Sequence, residues 1–352
     1  MPYHSLLTAY KSLLPWNLSR TKCFVSMVLG VIISGSVQQH KMSLGFTEDS
    51  KPESTCARIR DFLRSFAFNF EDYSRAIVSM TPLKGPFSLA LDRTNWKFGA
   101  LNINLLVLAV VITDKFALPI LWKALPKTGN SNSAERVDLL RTFLKVFGEN
   151  CISCLTVDRE FVGKAWIDYL IEHKIPFYIR IKENRLVEWG KGERNIADFF
   201  SHLSPREIRH IQFQMKGEKL YFAGTRSKNG ELVVVMSNRS KGKKILKIYK
   251  QRWTIELMFR HCKSNAFGLE DTHLIHLNRI EKLLAVVVSA LLFCFLKGTE
   301  VEKCSPTPYK KTIASKAVST FRRGFDVLRK TIIHMRNEAL QFMLQVVTGQ
   351  EK

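Results

Sequence analysis

The stretch "FSLALDRTNWKFGALNINLLVLAVVITDKFALPILWKAL", residues 87–125, holds three apolar runs that read as strands. "FSLALD" is a buried strand ending on Asp92, and "NINLLVLAVVIT" and "FALPILWKAL" follow, joined by a turn at Thr113–Lys115. Next comes "SNSAERVDLLRTFLKVFG", a helix with a capping serine or asparagine ahead of it. "CISCLTVD" (151–158) is a fourth strand ending on Asp158, "EFVGKAWIDYLIEHK" a helix, and "PFYIRIK" a fifth strand. The order β-β-β-α-β-α-β predicts an α/β fold: a mixed sheet with helices on both faces.

On either side of this block the pattern changes. Residues 1–84 read as helical, with Ile59, Leu63, Phe66 and Phe70 at helical spacing and arginines between them. Pro82, Gly85 and Pro86 then break the chain. Residues 186–245 form a β-rich insertion of three strand-like runs, separated by "KGEK" and the hairpin signal "SKNGE". "KGKKILKIYKQRW" returns to helix, and 279–297 is a second, mostly apolar helix. From 301 to 352 runs a basic helical tail with Lys310, Lys311, Arg322, Arg323, Arg329 and Lys330. The expected division is 1–84, a helical region; 85–300, the α/β domain with its insertion; and 301–352, the tail.

Composition narrows the function. Of 352 residues, 46% are hydrophobic, enough for a real core, and 54 Lys and Arg face 31 Asp and Glu. The resulting net charge of +23 draws polyanions over long range, and nucleic acid comes before anionic membrane. Seven scattered cysteines fit reduced thiols in a cytosol, and the lone "CISC" reads as packing. The apolar runs 23–36 and 283–296 are each 14 residues, short of the roughly 20 a spanning helix needs, and read as buried helices.

Asp92 and Asp158 both close apolar strand runs, where side chains leave the core and converge on one edge. A third acid lies in "YKQRWTIELMFRHCK", residues 249–263. In a regular helix Tyr249, Arg252, Glu256, Arg260 and Lys263 share an arc of roughly 80°, beside a core face of Ile248, Ile255, Phe259, Cys262 and Ala266. Ordinary i,i+4 ion pairing on a wet surface explains that strip as well as a functional role does. Three gathered carboxylates, however, repel one another unless a cation sits among them. Their oxygens suit Mg²⁺ or Mn²⁺, and two such ions about 3.5–4 Å apart promote phosphodiester cleavage.

"YKQRWTIELMFRHCK" fits the pattern Y-x₂-R-x₃-E-x₆-K at every fixed position. With "ALDRTNWKFG" and "LTVDREFVGKAWIDYLIEHKIPFYIRIKEN" in the same order, residues 85–300 resemble the DDE transposases of bacterial insertion sequences, in the branch named for insertion sequence four. The resemblance implies a ribonuclease H-like catalytic domain over 85–300, DNA binding by 1–84, and cut-and-paste transposition through hairpin ends. It implies Asp92, Asp158 and Glu256 as catalytic ligands of two Mg²⁺ ions, with Mn²⁺ an alternative. Tyr249, Arg252 and Lys263 would grip DNA phosphates. Partners would be double-stranded DNA, as terminal inverted repeats and target, and a second copy of the chain on paired ends, in a bacterial cytoplasm with no membrane. An aromatic in or after the insertion would stack on a flipped base; Trp189, Tyr221 and Phe222 are open choices. The alternatives are a non-catalytic or decayed DNA-binding relative, and a ribonuclease H-like nuclease or resolvase.

Overall fold

A computed structural model describes residues 2–46, 51–189, 192–215, 217–239, 243–310 and 315–349. Five helices open the chain: α1 (Pro2–Leu13), α2 (Leu18–Ser34), α3 (Gln39–Met42), α4 (Pro52–Ser65) and α5 (Phe70–Ser79). Asn17 caps α2 by accepting from the Arg20 amide, and Gly35 ends it in the left-handed region at φ 66°. The strands β1 (Phe87–Phe98), β2 (Leu101–Thr113) and β3 (Phe116–Ala124) then form an antiparallel meander. Helix α6 (Ser133–Phe147) follows, its start closed by a capping box between Asn132 and Glu135. Strand β4 (Ile152–Val157), helix α7 (Lys164–Glu172) and strand β5 (Phe177–Ile181) complete the expected order.

β1 does not stop at Asp92. It continues six residues to Phe98, because β2 pairs with it along the whole length, from Leu89↔Val110 to Phe98↔Leu101. Gly99, at φ 58°, makes the tight reversal between them. What ends at Asp92 is the parallel ladder with β4, whose last pair is Leu91↔Val157.

A small hairpin, β6 (Leu186–Trp189) and β7 (Gly192–Asn195), precedes β8 (Ile208–Met215), β9 (Glu218–Arg226) and β10 (Leu232–Ser237). The last three are the runs expected as an insertion. They extend the central sheet, since β10 pairs antiparallel with β5 and the strand order is β3-β2-β1-β4-β5-β10-β9-β8. The result is a mixed eight-stranded sheet flanked by helices, a ribonuclease H-like arrangement.

The chain then enters α8 (Lys243–Tyr249), α9 (Trp253–Arg260) and the long α10 (Leu277–Cys304). A short ladder, β11 (Tyr309–Lys310) with β12 (Ser315–Lys316), leads to α11 (Thr320–His334) and α12 (Arg336–Thr348). Lys311 of the expected basic tail lies outside the described residues. The two ends of the chain share one core, which runs from Leu6 in α1 to Val347 in α12 through the sheet. α1 packs on α12, and α2 on α10 and α11. α10 is buried almost all round from Ile280 to Phe295, so each of its large side chains contributes about 1.5–3 kcal/mol. It is locked to the sheet edge, where Trp122 Nε1 donates to Glu281 O at 3.0 Å and the Ala124 amide to Glu281 Oε1 at 2.7 Å. The apolar run at 23–36 is therefore helix as far as Ser34, and that at 283–296 is helix throughout, both largely buried. Among the described residues no single helix is long and apolar enough to cross a membrane.

Candidate active site

Asp92, inside β1, and Asp158, just after β4, stand side by side where the parallel ladder between the two strands ends. Each is the residue after the last paired position of two neighbouring parallel strands, Leu91 in β1 and Val157 in β4. The carboxyl ends of parallel strands are where such sheets place their chemistry. Asp92 Oδ1 accepts the Arg93 amide at 2.7 Å. Burial pushes its carboxyl up to about 7, against the pull of that amide and of Arg252, and the charges of Asp158 and Glu160 add to the rise.

The stretch 249–263 is not the single regular helix its spacing suggests. α8 ends at Tyr249, Lys250–Arg252 wind as a 3₁₀ turn, α9 covers Trp253–Arg260, and His261–Asn265 open into a π turn. These changes of pitch decide where the polar strip points. Tyr249, Arg252 and Glu256 converge on the strand-end acids. The Tyr249 hydroxyl donates to Asp158 Oδ1 at 3.2 Å. Arg252 donates through Nη1 to Asp92 Oδ2 at 3.3 Å and through Nη2 to Glu256 Oε1 at 2.6 Å. Its guanidinium thus bridges the first and third acids, while also lying 5.7 Å from the Tyr249 ring centroid.

Burial opposes the charge on Arg252, but Tyr249, Asp158, Glu256 and Asp92 outweigh it and hold the guanidinium more firmly charged than usual. Burial raises the Tyr249 phenol, which therefore stays a hydrogen-bond donor. The Arg252 Nε is buried without an acceptor among the described residues, leaving one donor of the fork free.

Lys263, within the π turn, leaves this group. It donates to the Asn95 carbonyl at 3.0 Å, pairs with Glu270 at 2.6 Å and lies 5.5 Å from the Trp96 ring. It is therefore tied to β1 three residues beyond Asp92. Arg260 is exposed.

The donor set is carboxylate oxygen, the chemistry of a hard divalent cation. Among the described residues no three acidic, histidine or cysteine side chains already form a cluster able to hold a metal ion. The residues nonetheless fit one: the Asp158 charge acts on Asp92, and the Arg252 cation is shared between Asp92 and Glu256.

One feature of the surroundings escapes sequence reading. Trp253 is 61% exposed and faces a groove of about 500 Å³ with Tyr249 and Arg252. Arg206, Arg226, Lys228, Lys247 and Lys250 line the same groove, and among the described residues no carboxylate does. Its members come from β8–β10 and α8–α9, so only the pairing of β10 onto β5 assembles it. Of the aromatics left open, Phe222 is buried against Phe213, Tyr221 is half-buried, and the Trp189 side chain lies outside the described part. Several cations elsewhere are already paired, among them Arg64 with Asp61, Arg75 with Asp72, and Arg323 with Glu302. Cys154 is buried on β4 and burial raises its thiol, which suits packing.

Three comparisons bear on this geometry. No curated protein matches the sequence. A solved cryo-EM structure of the piggyBac transposase, in a synaptic complex with hairpin DNA, shares the fold at a TM-score of 0.52 and 11% identity. That likeness covers 95% of this chain and 73% of the other. Residues 72–293, the span holding both strand-end acids and the bridged Glu256, match the transposase DDE domain, and the chain belongs to that family.

Proposed function

We propose that this chain is a metal-dependent transposase of the insertion-sequence-four branch, cutting and rejoining the DNA ends of a bacterial insertion sequence. The observation that carries the reading is the convergence of Asp92 and Asp158, where the β1–β4 ladder ends, with Glu256 through a shared arginine. Asp92, Asp158 and Glu256 would hold two Mg²⁺ ions, or Mn²⁺, which would activate a water or a 3′-hydroxyl and stabilise the leaving oxygen. The chain's own groups supply position and charge. Arg252 offers a phosphate oxygen charge-assisted bonds through Nη1 and Nη2 as their hold on Asp92 and Glu256 is relaxed. Tyr249 gives the same phosphate a neutral donor. Lys263 holds β1 in place beside Asp92 and adds charge along the DNA path. The acid-free groove beside Trp253 suits the phosphodiester backbone. A second copy on the paired end, and passage through a hairpin, complete the proposal.

The test is a labelled duplex carrying the short inverted repeat that flanks the coding sequence, incubated with the full chain and Mg²⁺. A 3′-end nick followed by a hairpin product is expected, lost in Asp92→Ala, Asp158→Ala and Glu256→Ala while binding persists. Binding by the unmutated chain without metal-dependent cleavage would overturn it in favour of a non-catalytic DNA-binding protein. Nicking with no hairpin or joined product would point instead to a ribonuclease H-like nuclease.

A further inference from the structure

Past Leu91↔Val157 no backbone hydrogen bond joins β1 to β4, because β1 turns away with β2 toward Phe98. Yet the next residue on each strand carries an acid, and two carboxylates held close drive the strand ends apart. Side chains on the far face of β1 supply the missing cross-link. Arg93 points opposite to Asp92, as successive strand residues must. Its guanidinium grips Glu160, two residues past Asp158, by a fork: Nε to Oε1 and Nη2 to Oε2, both 3.2 Å.

The same guanidinium donates to Asn104 Oδ1 on β2 and to Asn130 Oδ1 ahead of α6, each at 3.2 Å. Asn104 is 1% exposed and is itself held by donating to the Lys127 and Gly129 carbonyls at 3.1 and 3.0 Å. From the other side, Arg136 donates to the Glu160 carbonyl at 3.3 Å, with its guanidinium 5.0 Å from the Phe161 ring. Four segments therefore meet on one arginine: β1, β2, the turn before α6 and the turn after β4. The pair is also well covered, with the Arg93 and Glu160 side chains 13% and 25% exposed.

We infer that Arg93 and Glu160 are positioning residues that set the separation of the Asp92 and Asp158 carboxylates for a divalent cation, an inference resting on the triad reading above. The strut touches neither DNA nor metal; it acts through the backbone of the two residues that do. A ring closes from Asp92 through Arg93 and Glu160 back to Asp158, so slack in the fork becomes slack between the carboxylates. Arg93→Lys keeps the charge but loses the fork, and Glu160→Gln keeps the shape but loses the charge.

The experiment uses the full-length chain carrying Arg93→Lys, Glu160→Gln or, as a control, Asp92→Asn. Mn²⁺ affinity is read from the electron paramagnetic resonance of free Mn²⁺, and nicking of supercoiled plasmid is compared in Mg²⁺ and Mn²⁺. Both variants are expected to keep wild-type circular dichroism and plasmid binding and to lose Mn²⁺ affinity by roughly 10–100-fold, the usual cost of losing an outer support of a metal ligand. Nicking should fall further in Mg²⁺ than in Mn²⁺, because Mg²⁺ tolerates distorted octahedra poorly. A purely structural lesion would lower both alike. Wild-type Mn²⁺ affinity in both variants overturns the inference, and so does an equal loss with the two ions. Loss of fold in both variants overturns it too, since the network then serves only the fold. If Asp92→Asn binds Mn²⁺ and nicks as the wild type does, the triad reading itself fails, which the other two variants alone would not reveal.

Discussion

Asp92→Asn is expected to make the metal-free protein more stable while abolishing cleavage. Burial raises the Asp92 carboxyl from its ordinary 3.8 to about 7. The sign follows from linkage. Between these two values the folded state keeps the proton and the unfolded chain has lost it, so stability falls as pH rises through that window. At about 1.4 kcal/mol per unit, the full rise sets a ceiling of about 4 kcal/mol on the cost of an ionised Asp92 above pH 7. An asparagine carries no such cost and still accepts the Arg93 amide through Oδ1. The attraction of Arg252 at 3.3 Å is already contained in that value, and in the variant the arginine keeps Glu256. The net gain at pH 8 is then up to about 4 kcal/mol. Urea unfolding in EDTA from pH 4.5 to 8.5 measures it. The advantage of Asp92→Asn should shrink by about 1.4 kcal/mol per unit as pH falls below 7 and be nearly gone near 4. A variant no more stable than wild type at pH 8, or a difference independent of pH, would refute the account of Asp92 as a carboxylate held at a cost. Adding Mg²⁺ should then stabilise the wild type and leave the variant unmoved, as expected when a ligand binds only the native form.

Arg252→Gln should tighten Mn²⁺ binding in the absence of DNA, because the guanidinium competes for Asp92 and Glu256; a weaker Mn²⁺ affinity by titration calorimetry would count against that competition. Gly298→Ala and Gly324→Ala should each cost about 3 kcal/mol or more, or prevent folding, since α10 and α11 cross there and a methyl would strike the Thr320 or Cys294 carbonyl. A Tm within a few degrees of wild type would contradict this close crossing. DNA binding should fall by ~10³-fold or more between roughly 50 and 200 mM salt if six or more phosphates are contacted, and a flat response by fluorescence anisotropy would rule out the electrostatic reading of the +23 charge.

Local pattern alone specified a good deal of this protein. Short continuous apolar runs announced β1 to β5, and the cap of α6, the order of elements and the two acids after apolar runs were all legible. So was Glu256, through its fixed spacing from Tyr249 and Arg252. These features are legible because periodicity and capping are recorded within a few residues of one another. Which strand pairs with which is recorded nowhere locally. Only the tertiary structure carried β1 on to Phe98, joined β10 to β5 and thereby built the basic groove beside Trp253. The same holds for the winding of residues 249–265, where packing imposes a 3₁₀ and a π turn that send Lys263 to Asn95 instead of the acids. The sequence names Asp92, Asp158 and Glu256 as candidates. Their convergence through Arg252, and the Arg93–Glu160 strut behind them, depend on contacts between residues 67 to 160 positions apart, which only the closed sheet brings within hydrogen-bond reach.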